Sequence, residues 1–427
     1  MRRPSTRSTS STRGSFGITQ AIAVPAGVGA AILFFSNLAQ YSFSSGLVPV
    51  APTVLVLGLA LAAAFQTTLA LRERQALDWP LLVWCAVYLS VSLVGAVIAP
   101  QTDEAVAILH RRFLSVLFLL ATRMIFSDET AAKWALRAVV GAEIWGVGLN
   151  VYEYFFPLTF SFSYGRAAGL YMNPNISGGA LVAGMLLGLR VIRPLWREWF
   201  ILFCGAGVVL TFSRGAVIAW SVACALLLCT KEMRRLKLLI VAAVCAVSFW
   251  GAVYGSAWFG AASADLLANR PELMRRIGVS GSQSDSNSDS RMELATVGFN
   301  RFLRSPFVGN GLGATTTDWQ YSEGTHVIYA TLLAEHGLLG GALFPALLWL
   351  IYARGRQQGR GAITFAVFLA VWGVFSHNVV DEFHLLFATG AMLAAADSAK
   401  SAQVRGRAGK LVAGLQSRWT AVSTRLA

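Results

Sequence analysis

The sequence predicts an all-α integral membrane protein of about twelve transmembrane helices, and three observations predict it. Of its 427 residues, 56% are apolar and 13% are charged, about half the roughly 25% charged residues of soluble domains. The mean hydropathy is +0.58. Apolar runs close to the roughly 20 residues that cross a bilayer as a helix recur along nearly the whole chain. They fall near 19–37, 47–71, 79–99, 106–124, 131–152, 175–190, 198–212, 215–229, 236–255, 326–353, 362–378 and 383–399.

Orientation follows from the bias of Lys and Arg toward cytoplasmic loops. With Arg2, Arg3, Arg7 and Arg13 inside, alternate loops carry Arg72 and Arg74, Lys133 and Arg137, then Arg190, Arg193 and Arg197. The series continues through Lys231, Arg234, Arg235 and Lys237 to Arg354, Arg356 and Arg360. Both termini are therefore expected in the cytoplasm, as a tail over 1–18 and a basic tail over 400–427. Nine helices would fill 19–255, three more would fill 326–399, and the loop 256–325 between them would face out.

The formal charge of +14 resides mainly in the short inner loops and the tail. Topology accounts for it, so a nucleic-acid partner is not expected. The partner implied by composition is membrane lipid, and 400–427 reads equally as a basic amphipathic surface helix or as a solvated tail. All five cysteines (Cys85, Cys204, Cys224, Cys229 and Cys245) lie in apolar segments without a paired C-x-x-C spacing, which argues against disulfides and a cysteine metal site.

The informative residues are those that break the charge rule. Arg166, Arg214, Arg270, Arg275, Arg276, Arg291, Arg301 and Arg304 all fall on the outward side. Arg214, in "VVLTFSRGAVIAW", sits in a turn a few residues long between two apolar helices, where a guanidinium needs an anionic partner or a wet cavity. In "YGRAAGLYMNPNISGGA", Pro174 suits a helix start that Asn173 or Asn175 could cap, and Arg166 could fold back over that end. Asp285, Asn287 and Asp289 have calcium-loop spacing, but Ser290 and Thr296 replace the glycine and glutamate that such a loop requires. Gly309, Gly311 and Gly313 form a weak phosphate-cradle signal without strand context.

His326 opens "THVIYATLLAEHGLLGG". On a continuous helix it shares a stripe with Gly337 and Gly340, and Gly337 and Gly341 have the spacing that lets membrane helices approach closely. A neutral imidazole there can take a proton from an attacking hydroxyl. His336, off that stripe, reads as a polar cap at the membrane interface, and His377 and His384 flank a turn in which Asp381 or Glu382 could orient Arg or His. His110, beside Arg111 and Arg112, has no evident role. Several cations and one base at the outer mouth of an apolar bundle suit a donor that is apolar at one end and anionic in the middle, such as a polyprenyl pyrophosphate bearing a glycan.

"RAAGLYMNPN", "TFSRGA", "SRMELATVGFNRFLRSPFVGNGLG" and "THVIYATLLAEHGLLGG" come in an order that resembles the O-antigen ligase and polymerase superfamily of bacterial inner-membrane proteins, over about 165–341. The last block is similar to the ligases' signature of His, a polar residue, nine residues, Gly, two residues, Gly. Here it reads His326, Val327, Gly337, Gly340, with Val327 in the polar place.

The resemblance implies a GT-C-type glycosyltransferase that needs no cofactor or metal. It would move O-antigen from undecaprenyl pyrophosphate to a sugar hydroxyl of lipid A–core at the periplasmic face, with inversion. Carried over, His326 matches the proposed base, and Arg214 and Arg291 match the arginines that hold pyrophosphate. Arg166 and Asn175 match less defined family positions, and Ser213 and Asp381 complete the expected substrate-binding set. Two alternatives stay open: a polymerase using the same donor, and a polytopic secondary transporter, which would place ionisable groups nearer the bilayer midplane.

Overall fold

A computed structural model describes residues 10–71, 78–99, 102–163, 165–229, 286–315, 325–355, 361–394. The expected span 236–255 and both tails beyond these limits lie outside the described residues. The chain enters through α1 (Ser10–Ala30), a π-helical turn (Ala31–Phe35) and α2 (Leu38–Ser44). Then follow α3 (Pro52–Leu71), α4 (Trp79–Val97), α5 (Thr102–Ile125) and α6 (Glu129–Phe155). A 3-10 turn (Gly169–Tyr171) precedes α7 (Pro174–Gly188), α8 (Pro194–Leu210) and α9 (Arg214–Cys229). The rest comprises α10 (Ser286–Arg304), α11 (Ile328–Gly355), α12 (Gly361–Trp372) and α13 (Phe383–Ala394).

Eleven of the twelve expected apolar segments thus coincide with helices, but length and apolarity divide them unevenly. Among the described residues three helices can cross a membrane (Trp79–Val97, Asp103–Ile125 and Ile328–Gly355), or four if the bent pair Thr19–Phe35 and Leu38–Ser44 is one span. Five shorter apolar helices accompany them. The outward sides of this bundle show Leu61, Val97 and Trp145 well exposed, as expected where lipid replaces water.

The three long helices are tied together at one end by Asp78. Its carboxylate caps α4 by accepting from Leu81 N at 3.3 Å, accepts from Arg123 Nε of α5 at 3.1 Å, and pairs with Arg354 of α11. A carboxylate at a helix N-terminus also meets the positive end of the helix dipole.

At the far end α11 is broken. Gly337 has φ 63° and ψ −154°, a region essentially restricted to glycine. Leu338 N turns away from its own helix to Pro306 O at 2.8 Å, so the preceding turn loses its partners. The segment 306–313 replaces them: Asn310 N and Nδ2 each donate to Ala334 O at 2.9 Å, and Gly311 N donates to Glu335 O at 3.1 Å. Gly309, Gly311 and Gly313, with φ between 74° and 90°, are used for this close docking, so the phosphate-cradle reading is replaced by a structural one. The stripe joining His326 to Gly337 and Gly340 is likewise corrected, because the kink interrupts the helix that would carry it.

A Cβ at position 337 would fall on the backbone of Pro306 and Phe307. Gly337→Ala is therefore expected to cost at least roughly 1–3 kcal/mol, read as a lowered melting temperature of the detergent-solubilised protein.

Candidate active site

The site is built where helices stop. At the end of α6, the buried Glu153 carboxylate accepts four backbone N–H groups from the chain that returns after the helix. Phe160 N lies at 2.9 Å, Ala168 N at 2.7 Å and Gly169 N at 3.0 Å, and Ser161 N is the fourth. Charge-assisted bonds of this kind are roughly twice as strong as neutral ones, and they hold Phe160, Ser161, Ala168 and Gly169 against the end of α6. Ala167 N then donates to Leu210 O at 3.1 Å, which docks the loop on the end of α8.

This fold delivers Arg166. Its guanidinium is buried, with Nε donating to Thr211 O at 3.1 Å and Nη2 to Asn175 Oδ1 at 2.9 Å. Arg166 does fold back over the start of α7, while Asn173 caps that helix by accepting Asn175 N at 2.9 Å. Thr211 to Ser213 form the α8–α9 turn, with Phe212 at φ 48°. Ser213 is buried and accepts Ala216 N at 3.4 Å, so it serves as the cap of α9. The next residue, Arg214, is exposed at the first position of the helix.

Beside Arg214 the backbone of Gly215 is covered by Phe375, whose Cβ and Cγ lie 2.8 and 2.7 Å from where a Gly215 Cβ would stand. Phe375 belongs to the loop 373–382 between α12 and α13, and the same loop holds the start of α11. Ile328 N donates to Gly373 O at 3.0 Å and to Ser376 O at 3.1 Å. Two residues earlier, His326 has a left-handed backbone (φ 52°), and its ring meets that of His377 edge-on at 5.6 Å. One loop thus touches both the Arg214 turn and the His326 turn.

Loop 373–382 carries its own charges. Burial, followed by the electrostatic influence of the neighbouring His326 ring and the Arg111 guanidinium, holds His377 at about 4. Its imidazole is neutral near pH 7. Asp381 accepts from Ser115 Oγ at 3.3 Å and Tyr88 Oη at 3.5 Å. Its carboxyl is raised by burial, against the opposing pull of Arg112 and Arg111. Glu382 is pushed up to about 7 by burial and by Asp381, with Arg111 opposing.

Below the site lies a buried charge network. Arg112 pairs with Glu335, contacts His336, and donates to Ser92 Oγ at 3.1 Å; Gly313 N donates to the other Glu335 oxygen at 3.1 Å. His336 is 2% exposed. The interface-cap expectation for His336 is therefore corrected: it is packed against Gly95 inside the bundle.

The structure brings Arg166, Asn175, Ser213 and Arg214 into one cluster, linked through Phe375 to His326, His377 and Asp381. Arg291 lies on α10, and its side chain is outside the described residues. Asn287 and Asp289 also fall on α10, a helix where the calcium reading required a loop, and Asp285 lies outside the described residues. Sequence reasoning missed Glu153, Arg111, Arg112 and Glu335. Acidic residues in apolar helices were the available signal for Glu153 and Glu335, and the pairing of Arg112 across 223 residues left none. Among the described residues no three of His, Cys, Asp and Glu gather as a metal set.

The long apolar helices are those of a multi-pass membrane protein. Residues 199–345 match the family model described as O-antigen ligase, in line with the resemblance read from the sequence. The match contains Arg214, Arg291 and His326, whereas Arg166, Asn175 and Asp381 lie outside it. A search of curated proteins finds no match.

Glu153→Ala would strand four buried N–H donors, at roughly 1–3 kcal/mol for each that stays unpaired. Faster hydrogen exchange over 157–170 is the expected readout. Glu382 gives a pH test. Between about 4.5 and 7 the unfolded carboxyl ionises while the folded one keeps its proton. Stability from this group therefore falls as pH rises through that window and stays lower above it. Glu382→Gln should shrink the loss of thermal stability between pH 5 and pH 8.

Proposed function

We propose that this protein is an O-antigen ligase, a GT-C-type glycosyltransferase that transfers O-antigen polysaccharide from undecaprenyl pyrophosphate to a sugar hydroxyl of lipid A–core. The site would face the periplasm, with both termini cytoplasmic, and the product would be completed lipopolysaccharide. The observation that carries the reading is the contact of loop 373–382 with both the Arg214 turn and the His326 turn, within a chain whose residues 199–345 match the O-antigen ligase model.

In this reading Arg214, at the exposed start of α9, and Arg291, on α10, bind the pyrophosphate oxygens. Guanidinium forks match phosphate geometry and stabilise the charge that grows on the leaving group. His326 accepts the proton of the acceptor hydroxyl as its oxygen attacks the anomeric carbon from the opposite face. The bond from that carbon to the pyrophosphate oxygen breaks, its electron pair leaves with the pyrophosphate, and the configuration inverts. Arg166, through Asn175 and the carbonyls of Thr211 and Phe212, fixes the turn that presents Arg214. Asp381 helps anchor the loop behind His377.

A polymerase would use the same donor and the same groups with a lipid-linked acceptor. Val327, in the place of the ligases' polar residue, favours keeping that reading in the test.

Purified protein mixed with undecaprenyl-pyrophosphate O-antigen and lipid A–core, without added metal, should yield a ladder on lipid A–core. Arg214→Ala and Arg291→Ala should abolish it, and His326→Ala should slow turnover about 10²–10⁴-fold, the usual contribution of a general base. Elongation of the lipid-linked glycan alone would mean a polymerase. No transfer of either kind would overturn the glycosyltransferase reading.

A further inference from the structure

Helix α10 and the turn after it carry a surface that the proposed chemistry leaves unused. One side of α10 faces α11, where a Cβ at Gly298 would lie 2.8 Å from Thr325 Cγ2 and 3.5 Å from Ala330 Cβ. Another side shows Phe299 and Leu303, one turn apart, and the chain continues the apolar stripe into Phe307 and Val308. These four side chains are 51 to 77% exposed. Asn300 and Arg304 run alongside them as an exposed polar stripe.

The stripe is continuous with surfaces of the long helices. Pro306 O accepts Leu338 N, next to the exposed Leu338 and Leu339 side chains of α11. Gly311 runs against Ile98 and Ala99, where Val94, Val97 and Ile98 of the α4 end are exposed. α10 itself is not among the helices long and apolar enough to cross a bilayer. An exposed aromatic and aliphatic stripe bordered by an arginine, at the end of a membrane bundle, matches the chemistry of a headgroup interface. Apolar groups enter the acyl boundary there, and cations pair with phosphate.

We propose that Phe299, Leu303, Phe307 and Val308 lie in the bilayer interface on the side of the candidate site, with Arg304 paired to lipid phosphate. The proposal rests on the membrane reading of the bundle. It makes α10 a surface anchor, and it sets the helix that carries Arg291 at the level where a lipid-linked pyrophosphate presents its phosphates.

The test uses the full chain in vesicles of phosphatidylethanolamine and phosphatidylglycerol, with the photoreactive residue benzoylphenylalanine placed at 307 and, separately, at 303. Position 61 on α3, whose leucine is 72% exposed, serves as the lipid-facing control, and position 300 as the polar control. After irradiation, mass spectrometry should find phospholipid adducts at 307 and 303 in yields within about twofold of position 61, with several-fold less at 300. Lipid adducts at 61 but none at 303 or 307, or cross-links from 307 to protein alone, would overturn the anchor while leaving the membrane bundle intact. Absence of lipid adducts at position 61 as well would overturn the membrane reading on which the anchor depends.

Discussion

A helix that breaks inside a bilayer leaves backbone N–H and C=O groups that lipid cannot satisfy, so another part of the protein must supply their partners. That constraint organises this bundle. The helix of α1 and its π-helical turn breaks at Ser36, where Tyr171 Oη of the 165–173 loop donates to the freed Phe35 O, and Asn37 Nδ2 ties the break to that loop by donating to Leu170 O at 2.9 Å. α11 breaks at Gly337 and is patched by 306–313. The start of α11 is patched by Gly373 and Ser376. Each repair joins segments far apart in the chain, and the candidate site lies among them. The residues proposed for chemistry are held by the same contacts that make the breaks tolerable.

Charge is distributed with the same economy. At the end away from the site, Asp78 joins α4, α5 and α11 by accepting from their arginines and one backbone N–H. Between the ends, Arg112 is paired with Glu335, and both are almost fully buried. Removing one member of such a pair strands a charge, at a typical cost of about 3–5 kcal/mol. Nearer the site, burial holds His377 and the two carboxyls of loop 373–382 in their neutral forms over a wider pH range than in water. Arg214, by contrast, is exposed. The cation proposed to meet the substrate lies at the surface, whereas Arg166 and Arg112 are buried in the frame.

Much of this was legible in the sequence, because hydrophobic runs and arginines in short turns are local signals. The helix limits follow the apolar runs closely, and the fold of Arg166 over Asn175 follows from a nine-residue separation and a proline at the helix start. Kinks and long-range pairs were not legible. Gly337 looks like a packing glycine until the positive φ is known, and the stripe drawn through it presumes a helix that does not continue. His336 sits one residue from the break, so its burial against Arg112 depends on a contact 224 residues away. The span count differs for a related reason: among the described residues, five apolar helices are shorter than a bilayer crossing requires.

The central claim is that the Arg214 turn and the His326 turn, joined by loop 373–382, form one site for a lipid-linked pyrophosphate. The most direct measurement is an electron cryo-microscopy structure of the full chain in nanodiscs with undecaprenyl pyrophosphate bound. The account predicts phosphate density within hydrogen-bonding distance of the Arg214 guanidinium, with the open side of the terminal phosphate toward His326. Phosphates bound away from the Arg214 turn, with loop 373–382 untouched, would contradict it.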